Sequence, residues 1–210
     1  MKKFILIACV LFSSTSIFAQ YIELTPLTGY TFAGKVDNGY GIYNIENALL
    51  YGARFDVEFA DFSYFELSIR RNDPTTSYTP AGVNKSLNFN TGNAHYMVGF
   101  LREFKAKKIK PFGLISLGTS RYWLQEREGV DENYRQWFFA TEFGMGAKIL
   151  FNENIGLRLQ AAVTTPWDFA GGGIWWGVGT GGAAASGGST FDIPIAHWDL
   201  SAGLIFRMRD

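Results

Sequence analysis

The sequence holds one cysteine, Cys9, and two histidines, His95 and His197. Cys9 falls in an N-terminal stretch where Lys2 and Lys3 precede the apolar run Phe4 to Phe12, and a Ser-rich segment leads to Phe18-Ala19-Gln20. This is the three-part layout of a secretory signal, and it predicts cleavage after Ala19, with residues 1–19 as signal peptide and 20–210 as one mature domain. Leu6-Ile7-Ala8-Cys9 resembles the box of a lipid-modified cysteine, but the apolar stretch before it is shorter than such signals carry. A mature chain without cysteine has no disulfide, thiol nucleophile or zinc-thiolate site. An excess of positive charge is also missing: 19 Lys and Arg face 19 Asp and Glu, and loss of Lys2 and Lys3 leaves seventeen against nineteen. Nucleic-acid binding gets no support from that balance. Long apolar runs are absent too. Phe4 to Phe12 is far short of the about twenty residues of a membrane helix, and nothing after residue 19 approaches that length. A mature chain that meets a bilayer must therefore cross it as strands.

What is abundant is glycine (24) and aromatic residues (19 Phe, 10 Tyr, 6 Trp), arranged with period two. In 49–59, Leu49, Tyr51, Ala53, Phe55, Val57 and Phe59 occupy one face while Gly52, Arg54, Asp56 and Glu58 occupy the other, as a half-buried strand requires. The pattern returns in 137–151, in 155–163 and in the last segment, where Trp198, Leu200, Ala202, Leu204 and Phe206 oppose His197, Asp199, Ser201 and Gly203. Segments 21–34, 63–71, 93–104 and 111–123 complete a set of eight, with Pro26 lacking a ladder donor and Leu27, Met97 and Leu101 standing in the polar register.

The connections alternate in length. Residues 35–48, 72–92, 124–136 and 164–195 are long and polar or Gly-rich, whereas Ala60-Asp61-Phe62, Lys105 to Lys110 and Asn152-Glu153-Asn154 are short. Tight turns at one end and long links at the other predict an all-β, eight-stranded antiparallel up-and-down transmembrane β-barrel with both termini on the turn side. Alternation alone also fits a soluble barrel, so side-chain volume must decide. An eight-stranded barrel is only just wide enough to be filled by side chains, and the large apolar register cannot fit inside it. The polar register, rich in glycine and serine between charges, can. A Lys or Arg facing lipid costs about 2–4 kcal/mol at mid-membrane, and Arg54, Asp56, Glu58, Glu66, Arg70, Glu103, Glu142, Lys148, Arg158 and Asp199 all share the inward register. Arg71, Arg102 and Arg121 depart from it, each near a strand end.

The Ala19-Gln20 junction, Glu23-Leu24-Thr25-Pro26, the run Gly144 to Ala162 and the terminal Ser201-Ala202-Gly203-Leu204-Ile205-Phe206 resemble small outer-membrane barrel proteins of the OmpA/OmpX-like type, as found in Bacteroidetes. The resemblance implies an outer-membrane location, contact with outer-membrane lipid and lipopolysaccharide, and assembly by the barrel-insertion machinery. The chain departs from the commonest terminal aromatic, since Arg207-Met208-Arg209-Asp210 follow Phe206.

Candidate chemistry is sparse. His197, Asp199 and Ser201 share a face, but residues two apart on a strand are separated by roughly 6.6 Å, so His197 and Ser201 lie about 13 Å apart and one strand cannot build a triad. A partner from another strand, such as His95, is the remaining route; the plainer reading is a lumen hydrogen-bond network. Gly177, Gly179 and Gly182 match G-x-G-x-x-G spacing without the flanking strand and helix of a dinucleotide site. Lys105, Lys107, Lys108 and Lys110 read as a solvated turn. No catalytic, cofactor-binding or metal residue is assigned. The expectation is a non-enzymatic barrel with a structural or surface-interaction role. The alternatives are a ligand or adhesion module acting through outer links, notably 164–195, and a lipid-A-modifying enzyme. An open pore is least favoured.

Overall fold

The computed structural model describes residues 21–32, 34–37, 41–82, 86–105, 108–125, 135–167, 174–175, 186–187 and 196–209. The expected signal segment lies outside them. The strands in chain order are β1 (Tyr21–Phe32), β2 (Lys35–Asp37), β3 (Gly41–Ile45), β4 (Ala48–Ala60), β5 (Ser63–Asn72), β6 (Thr75–Pro80), β7 (Leu87–Glu103), β8 (Ile109–Leu124), β9 (Arg135–Leu150), β10 (Ile155–Trp167), β11 (Ile174–Trp175), β12 (Ser186–Gly187) and β13 (His197–Arg209). No described helix is long and apolar enough to cross a membrane.

Eight of these strands close a barrel in the order β1-β4-β5-β7-β8-β9-β10-β13, every pair antiparallel. The closing ladder joins the two ends of the chain, from Tyr21 opposite Arg209 to Phe32 opposite Trp198. Closure removes the free edges that an open sheet would expose. The last strand runs through Arg209, so the residues after Phe206 continue its alternation: Arg207 points inward and Met208 outward. Pro26 keeps its place opposite Ala53 of β4 but has no partner on β13, the ladder in which β1 skips from Leu24 to Leu27.

Two of the long links differ from expectation. The segments 35–48 and 72–92 contain β2, β3, β6 and the first residues of β7, which form a sheet in the order β2-β3-β6-β7 above the barrel. Strand β7 passes from this outer sheet into the barrel wall, pairing with β6 at Leu87 to Asn90 and with β5 from Asn93 onward. Thr75, Thr76, Tyr78 and Thr79 have side chains that favour extended backbone. At the other end the turns are tight. Asn152 Oδ1 accepts hydrogen bonds from the N–H groups of Asn154 (2.9 Å) and Ile155 (2.7 Å), an Asx turn that reverses the chain between β9 and β10.

Burial is inverted relative to a soluble protein. Leu49, Phe55, Leu67, Ile69, Val98, Phe100, Leu117, Phe143, Met145 and Leu200 point outward and are exposed, while Arg54, Asp56, Glu66, Arg70, Glu142, Lys148 and Arg158 are buried. Leu27, Met97 and Leu101 are buried inside, as their register requires. Tyr64, Leu101, Phe112 and Leu114 form a small apolar plug at the turn end. A Cβ at Gly146 would lie 2.1 Å from the Leu159 carbonyl oxygen and 2.6 Å from the Phe112 ring, so this glycine makes room for that plug.

Candidate functional site

Period-two alternation on eight strands delivers the charged side chains to the lumen, and there they form one chain of alternating sign. Asp199 accepts from Arg70 (2.6 Å), Arg70 also binds Glu142, and Glu142 accepts from Arg54 (3.1 Å). Arg54 continues to Glu66, Glu66 to Arg158 (2.6 Å), and Arg158 to Asp56 (3.1 Å). Lys148 then bridges Asp56 (3.3 Å), Glu23 (2.6 Å) and Glu103 (3.2 Å), and Arg207 closes the series on Glu23. The participants come from all eight barrel strands: β1 (Glu23), β4 (Arg54, Asp56), β5 (Glu66, Arg70), β7 (Glu103), β8 (Lys110), β9 (Glu142, Lys148), β10 (Arg158) and β13 (Asp199, Arg207). Lys110 reaches Glu103 (3.1 Å), which corrects its expected place in a solvated turn; Lys105 and Lys108 are exposed and Lys107 lies outside the described residues. Each buried charge faces at least one opposite charge, the condition under which a buried ionic network is tolerated. The column fills the lumen.

Above it, near the outer end, lie the residues that the sequence raised as chemistry. His95 Nδ1 is 2.7 Å from the Ser120 hydroxyl, directly across the β7/β8 ladder, and His197 Nε2 is 2.8 Å from the Tyr122 hydroxyl. The two imidazoles stand 5.6 Å apart, edge to face. Asp199 binds Arg70 and the Thr31 hydroxyl (2.7 Å), not a histidine. Ser201 sits opposite Gly29 and Gln160, four residues along β13 from His197. The serine that meets a histidine is therefore Ser120, which the sequence reading did not single out although it shares the inward parity of Ser116 and Gly118. His95, Ser120 and His197 are fully buried, and His95 Nε2 and His197 Nδ1 have no described partner. A nucleophile and base need a substrate within reach, and a third group to orient the base. Among the described residues no side chain hydrogen-bonds His95 Nε2 to orient that ring as a base. Among the described residues no cluster of His, Cys, Asp or Glu is arranged to hold a metal ion.

The outer surface divides into an apolar band and two rims of different composition. At the turn end, Phe59, Phe65 and Phe100 pack together with centroids 4.6 Å apart for Phe59/Phe65 and for Phe65/Phe100, and Arg102 donates to the Asp61 carbonyl (2.9 Å) and the Ser63 hydroxyl. At the other end stand Tyr30, Tyr51, Trp123, Trp137, Trp167 and Trp198, beside Arg71 and Arg121. Tryptophan and tyrosine gather where a bilayer meets water, because a flat apolar ring with a polar edge suits both. Arg71, Arg102 and Arg121 are thus at strand ends, as expected. The Gly-rich segment 164–195 continues β10 to Trp167 and includes the short pair β11/β12; the remainder, with Gly177, Gly179 and Gly182, lies outside the described residues.

No protein-family model matches the sequence, and no curated protein does. Solved structures do. The chain is similar to Neisserial surface protein A, with 12% identity, coverage of 89% of this chain and 96% of that one, and a TM-score of 0.54. It is also similar to the outer membrane protein OprG from Pseudomonas aeruginosa, with 11% identity, coverage of 90% and 96%, and a TM-score of 0.51. At this identity the likeness is one of fold: a small outer-membrane type of eight-stranded antiparallel barrel.

Proposed function

We propose that this protein is a non-enzymatic barrel of the bacterial outer membrane, exported by residues 1–19, that serves as a structural element of the envelope and presents its outer sheet and links for surface interaction. The observation that carries the reading is the inverted burial: large apolar side chains face outward on every barrel strand while the charges are sealed in the lumen. Only an apolar solvent makes that arrangement stable. Outer-membrane lipid and lipopolysaccharide then surround the band, and the barrel-insertion machinery is the partner during assembly. Cell fractionation tests it: the protein should enter the outer-membrane fraction and shift in gel mobility between unheated and boiled detergent samples. Recovery as a soluble periplasmic species without such a shift would overturn it.

A second reading assigns recognition of a surface ligand to the outer links. The sheet β2-β3-β6-β7 supports it, because a ladder continuous with the barrel wall holds that surface rigidly. Deletion of Gly171 to Gly188 separates the two contributors: binding lost implicates the 164–195 link, and binding retained implicates the sheet. A lipid-A deacylase would want a serine and histidine close together on the lipid face, whereas among the described residues His95, beside Ser120, and His197 are both buried in the lumen.

A further inference from the structure

At the outer rim two arginines share one indole and a third stands beside it. Arg71 on β5 and Arg121 on β8 both lie opposite Ala94 of β7, so they point outward from the same row with only a methyl group between them. One step further out, Trp123 faces Gly92 on one side and Arg135 of β9 on the other. A Cβ at Gly92 would come within 2.2 Å of the Trp123 ring, so the glycine is the seat of the indole. The Arg71 guanidinium is 5.0 Å and that of Arg121 5.2 Å from the centre of this ring, and Arg121 is also 5.5 Å from Trp137. Arg135 is exposed.

The described carboxylate at this cluster, Asp73, is taken up by Arg71 (2.8 Å). It also accepts from the Tyr51 hydroxyl (2.9 Å) and is held by Gln125. Arg121 forms no ion pair with a described residue, and its Nε is buried without a partner. Directly below the arginines, in the same outward register, lie Ile69 and Tyr96 of the apolar band. An arginine that faces lipid at this height is stabilised by the anion the interface supplies, which is the phosphate of a lipid headgroup. Guanidinium matches phosphate with paired N–H donors in one plane, and stacking on indole holds that plane without consuming the donors.

We propose that Arg121, flanked by Arg135 and by the Asp73-paired Arg71 and oriented by Trp123 and Trp137, binds the phosphate of an outer-leaflet glycolipid of the lipid A type. This rests on the outer-membrane reading, which places the rim in the leaflet where that lipid resides. The test uses the full chain refolded into phosphatidylcholine nanodiscs that contain either diphosphorylated lipid A or its dephosphorylated form, with lipid retained after detergent exchange counted by native mass spectrometry. Wild type should retain the phosphorylated form, R121Q at least about tenfold less, and R121K an intermediate amount. G92L keeps all three arginines but unseats Trp123, and should also lose retention while its heat-dependent gel shift stays intact. Equal retention of the two lipid forms, or retention by R121Q that equals wild type, overturns the site and leaves the membrane reading standing. Full competition by millimolar inorganic phosphate overturns the assignment to lipid. Failure of the wild-type chain to insert overturns both.

Discussion

Glu142 is the residue on which the lumen depends most directly, because its two oxygens join Arg54 to Arg70 and its side chain is fully buried. Glu142→Ala leaves two buried guanidinium groups short of a partner, and removal of one member of a buried pair costs about 3–5 kcal/mol. We expect the urea unfolding midpoint of the refolded barrel, followed by tryptophan fluorescence, to fall accordingly, and Glu142→Gln, which keeps one acceptor, to fall less. Two glycines give a contrast at the same scale. At Gly146 an added side chain meets backbone and the Phe112 ring, whereas at Gly113, which faces outward nearby, a Cβ meets nothing within 4 Å. Gly146→Val should destabilise by about 1–3 kcal/mol, and Gly113→Ala should stay within about 0.5 kcal/mol of wild type in the same assay. Parity placed nearly all of these residues correctly from sequence, since a strand has two faces and a charge at mid-membrane is costly on the lipid one. Partners were not legible. That Arg158 bridges Asp56 and Glu66, or that Ser120 and not Ser201 meets a histidine, follows from cross-strand register, which closure of the barrel fixes and alternation does not encode.

The elements fall into two classes with different rules. The eight barrel strands face lipid on one side and packed charge on the other, so their alternation is strong and their count was readable. β2, β3 and β6 stand outside the barrel wall, where no lipid-facing register is imposed, so their sequence lacked the pattern that marks a barrel strand. β7 crosses the boundary, and its alternation sets in where pairing passes from β6 to β5. The barrel should not need the outer sheet. Thr75 and Asn90 face each other across the β6/β7 ladder, so an Asn-Gly turn can join them in place of 76–89. The shortened chain should keep its heat-dependent gel shift and an unfolding free energy within about 1 kcal/mol of wild type, because every barrel ladder remains whole. Loss of the gel shift would show instead that the outer sheet is required for closure.

At the scale of the whole molecule the question is whether the barrel conducts. The charge column begins with Asp199 near the outer end and finishes with Arg207 and Glu103 near the turns, and its side chains on the barrel strands are buried, so ions crossing the described lumen would have to part ion pairs. Parting one buried pair costs about 3–5 kcal/mol, and each 1.4 kcal/mol is a factor of ten, so open states should be populated at no more than about one per cent. In planar bilayers the wild-type protein should show no steady conductance, with brief events at most. Glu142→Ala, which frees Arg54 and Arg70 from their shared partner, should raise the frequency of such events, whereas a neutral change on the lipid face such as Leu67→Ala should not. A steady ohmic current from wild type would mean that the column is not closed in the membrane, and the structural role of the lumen charges would have to be abandoned with it.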